Sequence, residues 1–161
     1  MEYSFLKAKE SEFEEIYKLY QDVISSSFTT WDENYPSKSL IKNDIASGNL
    51  FVLKDKSKII AVSYLGKNEN ENENWAFSLN NPLGIARICV SSQYQKRGVG
   101  SFFVKKLIKE AKTLGADGMH FHVCTKNLPA MKMYEKCFFI NCGLGKSNYG
   151  FDYYKYELKF D

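Results

Sequence analysis

Little in this chain would mark a secreted, metal-binding or membrane-spanning protein. Cysteine appears four times, at Cys89, Cys124, Cys137 and Cys142, and no two of them form a Cys-x-x-Cys pair. Histidine appears twice, at His120 and His122, with no zinc-finger spacing to the cysteines. Cys89 and Cys124 lie in apolar runs, where a thiol usually serves as a small buried hydrophobe. A reduced, cytoplasmic protein without metal is therefore expected. No stretch approaches the roughly 18 consecutive apolar residues of a membrane span. The start, Met1 to Phe5, has neither a basic segment nor a long apolar one, so no export signal is expected. The formal charge is only +3 and no basic run occurs, which argues against nucleic acid as a partner.

What is present is the composition of a globular protein. Hydrophobic residues make up 44% and charged residues 25%, and there is no internal repeat. At 161 residues, a single domain spanning 1–161 with a sizeable core is expected. Aromatic residues reach 16%, mostly Tyr and Phe, which favour strands and cores.

Periodicity divides the chain into alternating strands and helices. Tyr3 to Lys7 predicts a first strand. Ser11 and Glu14 have capping-box spacing before a helical stripe of Phe13, Ile16, Tyr17, Tyr20, Val23 and Ile24. That helix should fade in the serines from Ser25, and Phe28 to Tyr35 should be irregular. Ser37 is placed to cap a second helix that Gly48 would end. Leu50–Leu53 and Ile59–Leu65 flank a polar turn and predict a hairpin. The Asn/Glu alternation from Lys67 to Asn74 predicts a mobile surface loop. Ile85–Val90 reads as a strand, Phe102–Leu114 as a helix and Met119–Cys124 as a strand. A short helix from Asn127 to Lys136 with an early Pro129 follows, then strands at Cys137–Ile140 and Phe151–Phe160. The crossover from Ile85 to Cys124 makes strands four and five parallel neighbours in a mixed α+β sheet.

Between that fourth strand and its helix lies Gln95-Lys96-Arg97-Gly98-Val99-Gly100-Ser101. A glycine turn opening a helix offers unpaired N–H groups and the positive end of a helix dipole, a natural phosphate site. No Gly-Lys-Ser/Thr closes it, so it is no Walker A loop, and a third glycine needed for a dinucleotide fingerprint is missing.

The pattern it does match is Gln/Arg-x-x-Gly-x-Gly/Ala, in Gln95, Gly98 and Gly100. A second box runs Asn127-x-x-Ala130-x-x-x-Tyr134-Glu135-Lys136-x-Phe138. With the two in this order, the sequence resembles the GNAT superfamily of acyl-CoA-dependent N-acyltransferases. One departure is Cys137 in place of the glycine expected before Phe138, a position strained if it needs φ > 0.

The resemblance implies a mostly antiparallel sheet of six to seven strands, with strands four and five splayed and about four flanking helices. It implies that Arg97, Gly98, Val99, Gly100 and Ser101 hold the pyrophosphate of acetyl-CoA, with Gln95 and Lys96 in the same loop. Ile88, Cys89 and Val90 would run beside the pantetheine arm, Asn127 would bond it, and Ala130 and Lys136 belong to the same box. Tyr134 would be the general acid to the departing thiolate. A Val90 N–H would serve the oxyanion. In such enzymes a fourth-strand carboxylate often handles the amine's proton; Ile85 to Val90 contains none, so the base is unassigned.

Trp31, Asp32, Glu33 and Tyr35 lie where this superfamily shapes its acceptor pocket, and an aromatic, acidic rim would suit a cationic amine. A structural cap is the alternative. His120 and His122 share one side of the fifth strand, which is expected to face helices and to use them structurally. The implied reaction is direct acetyl transfer to a primary amine in a ternary complex. Polyamine, aminoglycoside, amino acid, peptide N-terminus and lysine side chain all stay open as acceptor, as do monomer and homodimer. The alternative function is a non-catalytic acyl-CoA-binding or regulatory module on the same fold.

Overall fold

The computed structural model describes residues 2–25, 31–68, 73–145 and 151–161. The serine run beyond Ser25 and the segment up to Thr30 lie outside the described residues. So do 69–72 of the Asn/Glu run and 146–150 of the last loop. In chain order the elements are β1 (Tyr3–Lys7), α1 (Phe13–Ile24), α2 (Lys38–Ala46), β2 (Leu50–Asp55), β3 (Lys58–Gly66) and β4 (Pro82–Val90). There follow α3 (Val99–Thr113), β5 (Gly118–Cys124), α4 (Leu128–Lys136), β6 (Ile140–Leu144) and β7 (Tyr153–Lys159). This is a mixed α+β fold in which β4 and β5 pair in parallel and the other described pairs are antiparallel.

The chain forms two compact units, Met1–Leu65 with Ala86–Phe103, and Gly66–Ile85 with Val104–Asp161. In the first, β1, β2 and β3 make an antiparallel meander. Leu50–Leu53 and Ile59–Val62 are buried without a break, as expected of strands covered on both faces. Helix α1 lays Ile16, Leu19 and Tyr20 onto this surface and α2 adds Ile41, together with Val52, Val62 and Cys89. Each of these large side chains contributes about 1.5–3 kcal/mol by leaving water.

Capping follows the sequence in one helix and not in the other. Ser37 Oγ accepts from the Leu40 N–H at 3.1 Å and starts α2 as expected. The Ser11/Glu14 box does not form. A 3-10 turn at Glu10–Glu12 precedes α1, and Glu12 accepts from the Lys9 N–H at 2.8 Å while pairing with Lys54 at 2.5 Å. The reciprocal pair thus sits at Lys9 and Glu12 rather than at Ser11 and Glu14.

In the second unit β5 pairs antiparallel with β7 along its whole length, from Gly118↔Lys159 to Cys124↔Tyr153, and β6 flanks β7. The parallel pairing of β4 with β5 consists of Pro82↔Gly118 and Leu83↔Met119. Odd-numbered residues of β5 meet α4: Phe121 lies 4.8 Å from the Tyr134 ring and 5.0 Å from Phe139.

The even-numbered face overturns one expectation. His120 and His122 point away from α4, and Trp75 stacks on them with centroids at 3.9 and 5.3 Å. Glu73, at the end of the Asn/Glu run, pairs with His122 at 2.7 Å and has a buried side chain. That residue is anchored rather than part of a loose loop. The sixth strand also starts later than expected. The last turn of α4 runs on through Cys137, Phe138 and Phe139, whose N–H groups donate to Tyr134 and Glu135 carbonyls. The left-handed residue there is Phe138 (φ 72°), while Cys137 has φ −98°. The position that calls for glycine is therefore 138, one residue later than expected, and Phe138 carries the left-handed strain while Cys137 carries none.

Candidate functional site

The phosphate-type turn lies wholly in the first unit. After β4 a 3-10 turn at Ser92–Tyr94 leads into Gln95–Gly98, and α3 begins at Val99. The helix starts earlier than its apolar spacing suggests, so Gly100 and Ser101 belong to its first turn. Lys96 (φ 60°) and Gly98 (φ 79°) are both left-handed. Turns of this kind gather successive N–H groups on one side as an anion-binding concavity. A Cβ at Gly98 would meet nothing within 4 Å, so glycine is needed there for its φ and not for room.

Side chains brace the turn from beneath. Gln95 Nε2 donates to the Val90 carbonyl at 2.9 Å, which ties the loop to the end of β4. The Tyr94 hydroxyl donates to Asp55 at 2.8 Å, and Arg97 lies over the Tyr94 ring at 5.0 Å while donating to the Gln93 carbonyl at 3.3 Å. Lys96 is exposed. Next to the loop, Ile88 and Val90 are half-buried, and burial pushes the Cys89 thiol far up, so it is inert.

The second box lies in the second unit. Asn127 caps α4, its Oδ1 accepting from the Ala130 N–H at 3.2 Å. Only its Nδ2 is left to serve a ligand. Lys136 is exposed in the last helical turn. Tyr134 is 3% exposed and sits among Phe121, Phe139 and Tyr156, the last two at 5.7 and 6.0 Å. Its hydroxyl has no hydrogen-bond partner among the described residues. Burial pushes the phenol well up, so it keeps its proton at any ordinary pH.

The acceptor candidates belong to the first unit. Asp32 accepts from the Asn34 N–H at 2.8 Å and through its carbonyl from the Tyr35 N–H at 3.1 Å, which commits its carboxylate to a tight turn. Glu33 is exposed, and the Tyr35–Pro36 bond is cis. Trp31 packs edge-on against Tyr20, with centroids at 5.6 Å.

Beside them stands a residue to which the sequence alone gives no role. Arg87 is left-handed (φ 52°) within β4. Its Nε and Nη2 donate to the two Asp44 oxygens at 2.8 and 2.9 Å, and the guanidinium lies 4.7 Å over Tyr64. Nη1 faces the Tyr35 hydroxyl at 3.5 Å, and the Arg87 carbonyl accepts from the Tyr20 hydroxyl at 2.7 Å. Burial opposes the charge, but Asp44 and Tyr35 more than offset it, so the guanidinium is held firmly protonated. The available signal was a lone cation in the run Ile85 to Val90 together with an acidic residue in the last turn of α2.

Comparison with curated protein sequences gives no significant match. Solved structures with the same fold are numerous. A GNAT-family acetyltransferase of Streptococcus agalactiae superposes with a TM-score of 0.83 at 19% identity, covering 99% of this chain and 96% of that one. The ribosomal-protein-S18-alanine N-acetyltransferase of Escherichia coli gives 0.74 at 17% identity, with 99% and 95% covered. A Salmonella typhimurium protein solved with its cofactor acetyl-CoA gives 0.74 at 14%, with 99% and 94% covered. Residues 13–139 match the Acetyltransferase (GNAT) family. With both boxes inside the matched stretch, the chain belongs to the GNAT acetyltransferase family.

Proposed function

We propose that this protein moves acetyl from acetyl-CoA to a primary amine by direct attack, without an acyl-enzyme. The observation that carries the reading is the Gln95–Gly98 turn: two left-handed residues lead into the N-terminus of a 15-residue helix, the positive end of its dipole. N–H groups of Arg97 to Ser101 hold the pyrophosphate, and Lys96 adds positive charge. Ile88 and Val90 bond the pantetheine arm as an extra strand would, with Cys89 between them turned into the core. Asn127 donates to the arm through Nδ2, and Ala130 and Lys136 flank it on α4.

The amine arrives neutral and attacks the thioester carbonyl. The new C–N bond forms as the C–S bond breaks, and the nitrogen's surplus proton leaves to water. The Val90 N–H stabilises the developing oxyanion. Tyr134 gives its proton to the departing sulfur. Burial keeps that phenol loaded, and the proton moves only once the sulfur carries charge.

Release of free thiol from acetyl-CoA, followed across a panel of amines, tests this. Amine-dependent release with matching acetylated product is expected. A protein whose thermal midpoint rises with ATP but not with acetyl-CoA, and which releases no thiol, would overturn it.

A further inference from the structure

The fixed orientation of Arg87 has a use beyond holding α2 to β4. A guanidinium has five N–H donors in a planar fork. Asp44 takes the side-on pair, Nε and one Nη2 hydrogen, and neutralises the charge. Of the remaining donors, those of Nη1 lie on the side of the Tyr35 hydroxyl. Tyr35 is 43% exposed, and its contact with Nη1 is long at 3.5 Å. If Tyr35 accepts from Nη1, its own proton remains to be donated.

The end of the fork beside Tyr35 therefore offers donors, and of the carboxylates near it two are engaged while Glu33 is exposed to solvent. Asp44 is bound to Arg87, and Asp32 closes its own turn through Asn34. A ligand that fits such a place must accept hydrogen bonds in a plane, which is what a carboxylate does. The backbone supports the same conclusion. A left-handed non-glycine residue inside a strand costs about 1–3 kcal/mol and persists only where its surroundings fix it. Here Tyr20 grips the carbonyl and Tyr64 the guanidinium face. The next residue, Ile88, is one assigned above to the cofactor arm.

We propose that Arg87 and Tyr35 bind a carboxylate on the acceptor, so that the substrates are amino acids or other small amines bearing an acid group near the nitrogen. This rests on the acetyl-transfer reading above. Asp44 and Tyr64 are positioning residues that aim the fork.

The test is a set of matched acceptors: L-alanine, L-methionine, L-phenylalanine and L-glutamate, each against its own α-carboxamide, with spermidine and kanamycin alongside. Thiol release is followed for the native protein, Tyr35→Phe and Arg87→Lys. A charge-assisted pair favours the acid over its carboxamide by about ten- to hundredfold in kcat/KM. Tyr35→Phe, a change at an exposed ring, should raise KM for the acids more than for the carboxamides. Arg87→Lys keeps the charge but loses the fork, and should collapse the preference. Equal use of acids and carboxamides overturns the inference, as does a Tyr35→Phe effect of the same size on both. Turnover of spermidine or kanamycin without the acids overturns it and leaves the transferase reading standing. Release with no amine at all overturns both.

Discussion

Replacing Tyr134 by Phe separates chemistry from packing. The ring lies 4.8 Å from Phe121, 5.7 Å from Phe139 and 6.0 Å from Tyr156, and all three contacts survive in Phe. The lost hydroxyl has no partner among the described residues. Removing a buried, unbonded hydroxyl is neutral or slightly favourable, where breaking a made bond would cost about 1–3 kcal/mol. The thermal midpoint should therefore stay within about 2–4 °C of native, the shift that 1 kcal/mol produces in a domain of this size. Tyr134→Ala opens a hole and should cost about 3–5 kcal/mol, a fall of roughly 6–20 °C. Activity should behave oppositely to stability. A positioned general acid is worth about 10²- to 10⁴-fold, so Tyr134→Phe should lose about 3–5.5 kcal/mol of transition-state stabilisation with acetyl-CoA affinity unchanged. The assay is single-turnover thiol release between pH 7 and 9, which removes product release from the rate. Because burial raises the phenol above its ordinary value, the native rate should not fall through this range for want of a proton. An unchanged rate in Tyr134→Phe would refute the role of the hydroxyl.

Three further expectations follow from local geometry. Gly98→Ala forces a Cβ into φ 79° with open space around it, so about 1–2 kcal/mol of strain should lower the thermal midpoint and weaken acetyl-CoA binding measured by calorimetry. Asp44→Ala strands a buried guanidinium and should cost about 3–5 kcal/mol in urea unfolding, whereas Asp44→Leu with Arg87→Met should come close to native stability. Burial raises the phenols of Tyr20, Tyr134 and Tyr156, the last to about 12. The unfolded chain loses these protons first, so stability is full below pH 10 and falls as pH climbs above it; urea midpoints at pH 9 and 11 should show the drop.

The parts legible in the sequence were those set by local periodicity. β1, the hairpin of β2 and β3, and β7 alternate or run apolar as strands must, and Ser37 carried its cap where a short polar residue precedes an apolar stripe. Both cofactor boxes could be read because each is a single local turn or helix. What escaped depends on partners distant in sequence. Glu12, at the start of α1, pairs with Lys54 across 42 residues. The face of β5 that carries His120 and His122 was misjudged because alternation says which residues share a side, not which side meets α4. Arg87 was passed over since its meaning comes from Asp44, Tyr35 and Tyr64, none of them near it in the chain. At Phe138 the helix terminus claimed residues whose composition reads as strand, because closing the last carbonyls of α4 outweighs a preference worth under about 1 kcal/mol.

The two tryptophans have a practical consequence. Trp31 rests on Tyr20 in the first unit, and Trp75 is stacked on two imidazoles in the second. Each half of the chain thus carries its own indole fluorophore, in unlike surroundings. A protonated imidazole withdraws excitation from a stacked indole, so the emission of Trp75 should follow the charge on His120, 3.9 Å away, while that of Trp31 does not. With Trp31→Phe and Trp75→Phe in hand, light alone reports whether the halves melt in one step or in two.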